Sequence, residues 1–254
     1  MVTLTHIGGP TALVEFAGWR LLTDPTFDPA GGKYKFGWGT GSTKTAGPAI
    51  DPADLGPIDA VLLTHDHHED NLDAAGRALL PQVDTVVTTA AGAKRLGGET
   101  RGLSDWQSTE LSKPGSPTIK VTATPCRHGP PLSHPIVGDV IGFALDDGKL
   151  WISGDTVLYD GVKEVAQRLD VDVAVLHVGG VQFPVTGPAR YTMTGHDAVE
   201  LTKRLSPRIA IPIHYEGWKH FVDGKRGVER AIAAAPADTQ QRFRWLTIGE
   251  PTEL

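Results

Sequence analysis

Four apolar segments of this 254-residue chain each lead to a histidine or an aspartate. Glycine or proline lies beside three of these four junctions, which is typical of strands that end in a loop. Ligands of open α/β sheets bind at the carboxyl ends of the strands, so the polar side chains are expected to meet at one rim. The segments and the residues that follow them are 60–63 before His65, 119–124 before His128, 150–152 before Asp155, and 209–213 before His214.

The segment 64–71 concentrates side chains that bind metal ions. Imidazole and carboxylate are ligands of zinc and of similar divalent ions, and one ion cannot use so many of them. A solvated polar turn is the alternative interpretation, but the recurrence of histidine and aspartate at other strand ends favours a metal or catalytic site. After Thr64 the segment reads His65, Asp66, His67, His68, Glu69, Asp70 and Asn71.

Together these motifs resemble the metallo-β-lactamase superfamily. The signature of that superfamily is H-x-H-x-D-H after a strand, then a distant histidine, a bridging aspartate and a final histidine. The corresponding residues here are the cluster that begins at His65, followed by His128, Asp155 and His214. The resemblance implies an α/β fold built as a four-layer αββα sandwich, and a hydrolase that uses one or two divalent metal ions.

Further motifs are similar to the branch of the superfamily that contains ascorbate-6-phosphate lactonase. They are Thr-Asp-Pro at 23–25, the Met-Thr start of the segment 193–199, and Pro-Ile-His at 212–214. The segment 214–221 resembles a group of actinobacterial hydrolases within that branch. The combined resemblance spans nearly the whole chain, and it is specific for fold and metal rather than for substrate.

The cluster can be aligned to the signature in two ways. A direct alignment pairs His65 with His67 and places Asp70 where the last histidine belongs. An alignment shifted by one residue uses His65, His68, Asp70 and Asn71, and the actinobacterial hydrolases resemble this version. An amide is a poorer ligand than imidazole. A site with one ion therefore becomes an alternative to a site with two, and manganese becomes an alternative to zinc. The candidate metal ligands are therefore His65, His67, His68, Asp70, His128, Asp155 and His214.

A metal-dependent hydrolysis is the reaction that these residues support. Divalent metals lower the pKa of a bound water to about 7, and Asp155 would orient that nucleophile. Asp66 or Asp70, whichever is not a ligand, would carry the proton to the leaving group. The branch resemblance favours a small ester, lactone or phosphoester, and above all an anionic ester or lactone. The alternatives are a nuclease or phosphodiesterase of the same superfamily and a non-catalytic binding module that retains the fold.

Composition limits the partners of the protein. The net charge is −6 and no block of lysine or arginine is present, which argues against nucleic acid. No apolar run approaches the roughly 20 residues that span a bilayer, so we expect no membrane partner. One cysteine and an N-terminus unlike a signal peptide predict a cytoplasmic protein. We expect one domain over residues 1–254 that acts on a small molecule.

Periodicity and turn residues predict alternating strands and helices after an initial hairpin at residues 11–23. Thr194 and Asp197 are expected to form a capping box. The glycine-rich segment 27–48 predicts either a lid or a surface Ω-loop, and residues 180–192 would form the opposite wall. The other predicted strands are 59–63, 85–88, 119–124, 140–145, 150–153, 171–176, 209–213 and 243–248. The predicted helices are 72–80, 90–96, 162–169, 197–205 and 228–235.

Several further residues are weaker candidates. Asp24 is expected to orient a ligand imidazole from outside the metal shell. His177 ends a predicted strand and is expected to face the rim. His220 and Trp218 follow the candidate ligand His214 closely, so they are expected either to support the ligands or to contact the substrate.

Overall fold

The computed structural model describes residues 2–254 of the chain. Among these residues, no helix is both long enough and apolar enough to cross a bilayer. The strands are β1 (Val2–Gly8), β2 (Thr11–Phe16), β3 (Trp19–Thr23), β4 (Lys33–Gly37), β5 (Thr40–Thr43), β6 (Ala60–Leu62), β7 (Thr85–Thr89), β8 (Thr100–Leu103), β9 (Ser108–Leu111), β10 (Ile119–Pro125), β11 (Ile141–Leu145), β12 (Leu150–Ile152), β13 (Val173–His177), β14 (Ile209–Ile213) and β15 (Pro251–Glu253). The helices are α1 (Ala74–Leu79), α2 (Ala90–Leu96), α3 (His134–Val137), α4 (Asp160–Arg168), α5 (Gly195–Leu205), α6 (Gly224–Ala233) and α7 (Ala237–Gln240).

Two large sheets pack face to face. One has the strand order β15-β1-β2-β3-β6-β7-β8 and the other β14-β13-β12-β11-β10-β9. Apolar side chains from both sheets, such as Val14 and Phe143, form the central core between them. Helices α4, α5 and α6 cover the outer face of the second sheet, and α1 covers the outer face of the first. This is the predicted four-layer αββα sandwich, which is confirmed.

Strand direction brings the predicted ligands to one edge. Strands β12, β13 and β14 are parallel, and β10 runs the same way because β11 is antiparallel to both β10 and β12. Their carboxyl ends therefore share an edge of the second sheet. Gly154 adopts a φ of +64° between β12 and Asp155, and an added Cβ there would lie 2.6 Å from the Ile141 carbonyl oxygen. Glycine is needed at this turn, which delivers Asp155 to the rim.

Most predicted elements are present with small shifts of their ends. The initial hairpin β2–β3, the helix α2 and the strand β14 have the predicted bounds, and Thr194 with Asp197 forms the predicted capping box. The predicted strand at 243–248 is wrong, because residue 243 makes only an isolated bridge and the last strand is β15, which pairs with β1. The segment 27–48 is not structureless, since it carries the hairpin β4–β5.

Helix α1 packs so closely on the segment after β3 that it requires glycine at position 76. A methyl group added to Gly76 would overlap the Pro25 carbonyl oxygen and lie 2.6 Å from the carbonyl carbon. Asp73 Oδ1 accepts hydrogen bonds from the backbone N–H of Gly76 and of Phe27, both at 2.9 Å, so the start of the helix is held in place.

We expect Gly76→Ala to lower the free energy of unfolding by about 1–3 kcal/mol. Overpacking against backbone outweighs the gain of about 1 kcal/mol that alanine usually brings to a helix. Urea-induced unfolding of the variant and the wild type measures the difference. A variant as stable as the wild type or more stable would show that the segment at Pro25 can move aside.

Candidate metal centre

The first group of candidate ligands consists of His65, His68 and His128. Their ligand atoms all lie within 4.8 Å of one another, and His65 Nε2 is 3.2 Å from His68 Nδ1. All three side chains are buried. Burial lowers the pKa of each imidazole, that of His68 to about 3, so the rings stay neutral at physiological pH. Neutral imidazoles are the form that binds a metal ion.

The second group consists of Asp155, His177 and His214, again with ligand atoms within 4.8 Å. Asp155 Oδ1 accepts hydrogen bonds from His177 Nδ1 at 2.9 Å and from His214 Nδ1 at 2.8 Å. Burial alone would raise the pKa of Asp155, but the charge of His214 and the bond from His177 hold it well below the usual range. The carboxylate is therefore ionised although it is fully buried.

The backbone at His214 is held in an uncommon conformation. Its φ is +58°, in the left-handed region that residues other than glycine seldom adopt, although histidine does so more often than most. The residue follows β14 directly, and its N–H donates to the Gly9 carbonyl at 2.9 Å. Such strain is kept where the surrounding structure enforces it, and here it directs the imidazole toward Asp155.

Asp70 lies beside the second group. Its Oδ2 is 3.0 Å from His220 Nε2 and 4.0 Å from His214 Nε2. Burial raises the pKa of Asp70, but the contact with His220 outweighs that effect and lowers the pKa to about 2. An ionised, buried carboxylate next to two imidazoles is suited to bind a cation rather than to carry a proton.

A chain of hydrogen bonds that begins at Asp24 orients His65 of the first group. Asp24 Oδ1 accepts from the backbone N–H of Thr64 at 2.7 Å and from its hydroxyl at 2.9 Å. The Thr64 hydroxyl in turn lies 3.0 Å from His65 Nδ1. Asp24 therefore orients the ligand imidazole through Thr64 rather than by direct contact, and such outer contacts tune metal affinity.

The donor set fits divalent metal ions. Asp155 Oδ2, His177 Nε2 and His214 Nε2 are buried and have no hydrogen-bond partner among residues 2–254. Buried polar atoms are almost always paired in folded proteins, so several such atoms at one rim require another partner. Three neutral imidazoles near carboxylates are ligands that suit zinc, and the carboxylates also suit manganese.

Two of the predicted site residues lie apart from these groups. The ring of His67 is bonded to the Val137 carbonyl through Nε2 and belongs to neither group, which agrees with the shifted alignment. The Asp66 carboxylate accepts from Arg95, with Nε to Oδ2 at 2.9 Å. Although burial raises the pKa of Asp66, Arg95 holds it below the usual range, and this pairing argues against the predicted proton transfer by Asp66.

His177 and His220 have more prominent positions than the sequence indicated. His177 is the last residue of β13, and its Nδ1 supports Asp155, which was foreseeable from its place at a strand end. His220 lies in a loop after β14 with no pattern that predicts its contact with Asp70. Only the folded path of residues 214–220 reveals that contact.

A cavity of about 30 Å³ opens beside His68 and His128 of the first group and beside Asp70. A larger cavity of about 400 Å³ reaches the centre only at His128, so the smaller one is the better candidate for the reacting part of a substrate. The smaller cavity is lined by His68, Asp70, His128, Thr40, Phe36, Ile136, Val137, Val181, Phe183 and Tyr191.

Comparison with known proteins agrees with this geometry. The family model described as "Beta-lactamase superfamily domain" matches residues 19–215. A UPF0173 metal-dependent hydrolase of Opitutus terrae is 30% identical over an alignment 263 residues long, gaps included. The alignment covers 99% of this chain and 99% of that protein. The isothiocyanate hydrolase from Delia radicum gut bacteria has a TM-score of 0.82 at 21% identity, with 99% of both chains covered. A metallo-hydrolase from Ignicoccus hospitalis has a TM-score of 0.67 at 22% identity, over 100% of this chain and 99% of that one.

A four-layer sandwich with two groups of histidine and aspartate at one rim is the metallo-β-lactamase fold, and relatives named metal-dependent hydrolases make the protein an enzyme of that class. The matches over most of the chain make the assignment more specific. The chain belongs to the UPF0173 metal-dependent hydrolase family of the beta-lactamase superfamily. The predicted superfamily and the predicted enzyme class are confirmed, whereas the lactonase branch stays a prediction.

Proposed function

We propose that this protein hydrolyses a small, uncharged ester or lactone that carries an apolar group. The observation that supports this substrate class is the lining of the cavity at the ligands. Six of its lining residues are apolar or aromatic, and among residues 2–254 no lysine or arginine lines it. A charged group away from the reacting bond would need a lysine, an arginine or a row of N–H donors in the lining, and an apolar acyl group needs only these side chains.

The loops that line the cavity also carry exposed apolar side chains. Ile136 lines the cavity and is 45% exposed, and Trp38 and Val185 are 76% and 62% exposed. An added Cβ at Gly39 would lie 3.8 Å from Val185, so the tip of the β4–β5 hairpin lies close to the turn that holds Val185. Exposed apolar side chains on the same loops as the lining residues Phe36, Thr40 and Phe183 favour binding of an apolar group nearby.

The β4–β5 hairpin is proposed to act as the lid. The ring centroid of Phe36 is 5.8 Å from that of His68, 5.5 Å from that of His220 and 5.8 Å from that of Phe183. The cavity that Phe36 lines has the volume of about one water molecule, so an ester can enter only if part of the lining moves, and we assign this movement to the hairpin. Of the two interpretations of the segment 27–48, the lid is the one that these contacts support.

The chain's own residues then have distinct tasks. Bound divalent ions would supply Lewis acidity and an activated water. His65, His68 and His128 would hold one ion, and Asp155 with His214 would face the other, while His177 fixes the Asp155 carboxylate. The pKa of about 2 at Asp70 suits a ligand better than a proton carrier. Zinc is the proposed metal, and manganese is the alternative.

The alternatives are less well supported. The lactonase branch suggests a phosphorylated lactone, whose phosphate would need a cation away from the reacting bond, and the cavity lining offers no lysine or arginine for it. A phosphodiester could bind the proposed metal ions directly, so the phosphodiesterase is the alternative that the substrate panel has to test. A non-catalytic module is at odds with a family whose members are named hydrolases. A cytoplasmic location, expected from the single cysteine, is part of the proposal.

A substrate panel tests the proposal. The protein is loaded with zinc or manganese and assayed with p-nitrophenyl acetate and butyrate, an alkyl lactone, a phosphorylated lactone and bis-p-nitrophenyl phosphate. Benzyl isothiocyanate is included because a structural relative is named an isothiocyanate hydrolase. We expect butyrate to exceed acetate in kcat/KM by at least roughly thirtyfold, because butyrate has two more methylenes and each contributes about 1–3 kcal/mol in an apolar pocket. Turnover confined to the phosphorylated compounds would contradict the proposal.

A variant pair controls for general apolar effects. Ile136→Ala shortens a side chain that lines the cavity and should reduce the preference for butyrate over acetate several-fold. Ile248→Ala shortens another partly exposed side chain that does not line the cavity, and it should leave the preference unchanged. Both variants should keep the metal content of the wild type, so a loss of metal would point to a different cause.

A further inference from the structure

We propose that His220 replaces the last histidine of the family motif and completes a second metal position with Asp70 and His214. This inference rests on the proposed metal-dependent function. Among residues 2–254, the Nε2 atoms of His220 and His214 both approach one oxygen of Asp70, at 3.0 Å and 4.0 Å. Two imidazoles from the segment that follows β14 therefore approach one carboxylate of the distant turn 64–71.

The metal-binding motif of this chain lacks a histidine at its last position. In the shifted alignment Asn71 stands at the last position, and its side chain is fully buried. Its Nδ2 donates to the Thr64 hydroxyl at 3.3 Å, which is the group that orients His65. Asn71 thus supports the first group, and an amide oxygen is a weak zinc ligand compared with imidazole. The second position needs another donor.

The distances from Asp70 to the two imidazoles are compatible with a metal shell. Neighbouring ligands at about 2.0–2.2 Å from a tetrahedral ion lie roughly 3.3–3.6 Å apart. The two observed distances to Asp70 Oδ2 bracket this spacing. His214 Nε2 has no hydrogen-bond partner among residues 2–254, so this nitrogen is free to bind a cation when the ring is neutral.

The surroundings of His220 also fit a ligand. The ring is 5% exposed and lies among aromatic side chains, stacked on Phe183 at a centroid distance of 5.2 Å and edge-on to Phe221 at 4.6 Å. Its Nδ1 has no partner among the described residues, so Asp70 is its one polar side-chain contact. A buried imidazole with a single polar contact is costly unless it serves a site, and the aromatic packing fixes its orientation.

Metal stoichiometry tests the assignment without any assay of turnover. Wild type, His220→Gln and Asn71→Ala are stripped with chelator, equilibrated with zinc and separately with manganese, desalted and analysed by elemental mass spectrometry and calorimetry. We expect two ions in the wild type, two in Asn71→Ala and one in His220→Gln, whose second ion should bind at least about a hundredfold more weakly. His196→Gln, an exposed helical histidine, is the matched control and should bind two.

A rescue variant separates a ligand from a merely structural role. Asn71→His combined with His220→Gln restores a histidine at the motif position, and we expect it to regain the second ion. The assignment would be overturned if His220→Gln bound two ions or no ion. It would also be overturned if Asn71→Ala lost the second ion or if the double variant did not regain it. A wild type that binds one ion would overturn it too. A wild type that binds no metal at all would instead refute the proposed metal-dependent function.

Discussion

Replacing Asp155 with asparagine is expected to reduce turnover by well over a hundredfold while the protein stays folded. Contacts outside the metal shell already change metal affinity or activity by about 10–100-fold, and a carboxylate that faces the ions directly should matter more. The change removes the buried charge that His177 and His214 stabilise at 2.9 Å and 2.8 Å. Activity assays together with metal analysis measure the effect.

The fold should survive this substitution. The asparagine oxygen can still accept from both imidazoles, and its amide would take the place of Oδ2, which has no hydrogen-bond partner among residues 2–254. We expect the metal-free variant to lose at most about 1–3 kcal/mol of stability. Unchanged metal content and turnover in Asp155→Asn would mean that Asp155 only supports the turn after β12.

Asp73→Asn is the matched control, because Asp73 is also a buried carboxylate but serves the fold. It caps α1 at Gly76, and its Oδ2 pairs with Lys44 Nζ at 2.8 Å. Removing its charge should lower the thermal midpoint, since it leaves a buried lysine uncompensated. The folded fraction should keep the metal content of the wild type. Asp155→Asn would thus lose turnover while it stays folded, whereas Asp73→Asn would lose stability while it keeps its metal.

The second large effect is expected from one of two adjacent histidines. His68→Gln should weaken metal binding at the first group by at least about a hundredfold, because it removes one of three imidazoles. His67→Gln should keep the metal, since the ring of His67 bonds the Val137 carbonyl instead. Zinc titration against a competing chelator measures both variants under the same conditions.

The pair is well matched because the two rings are neighbours, with centroids 4.3 Å apart, and the substitution is the same. His67→Gln should cost only about 1 kcal/mol of stability through its lost hydrogen bond. Metal loss in His67→Gln with retention in His68→Gln would favour the direct alignment of the motif. Equal loss in both variants would indicate that the whole turn 64–71 collapses when either ring is removed.

The sequence predicted those structural features whose determining residues lie close together in the chain. The hairpin β2–β3, the helix α2 and the capping box at Thr194 depend on neighbouring residues, and their sequences predict them. The strand β15 was missed and a strand was wrongly predicted at 243–248, because pairing at a sheet edge depends on which distant strand is free. Here β1 takes the last residues of the chain as its partner.

For the metal centre, the sequence by itself determined the chemistry: histidines and aspartates at the ends of apolar strands, hence a metal site at one rim of a layered sheet. Only the tertiary structure decided which of them meet. His67 and His68 are chemically identical and adjacent, and the backbone path of the turn directs one to His65 and the other to Val137. His220 is separated from Asp70 by 150 positions, and no local pattern encodes their contact. Side-chain type is a local property, whereas convergence depends on how the two sheets and their loops pack.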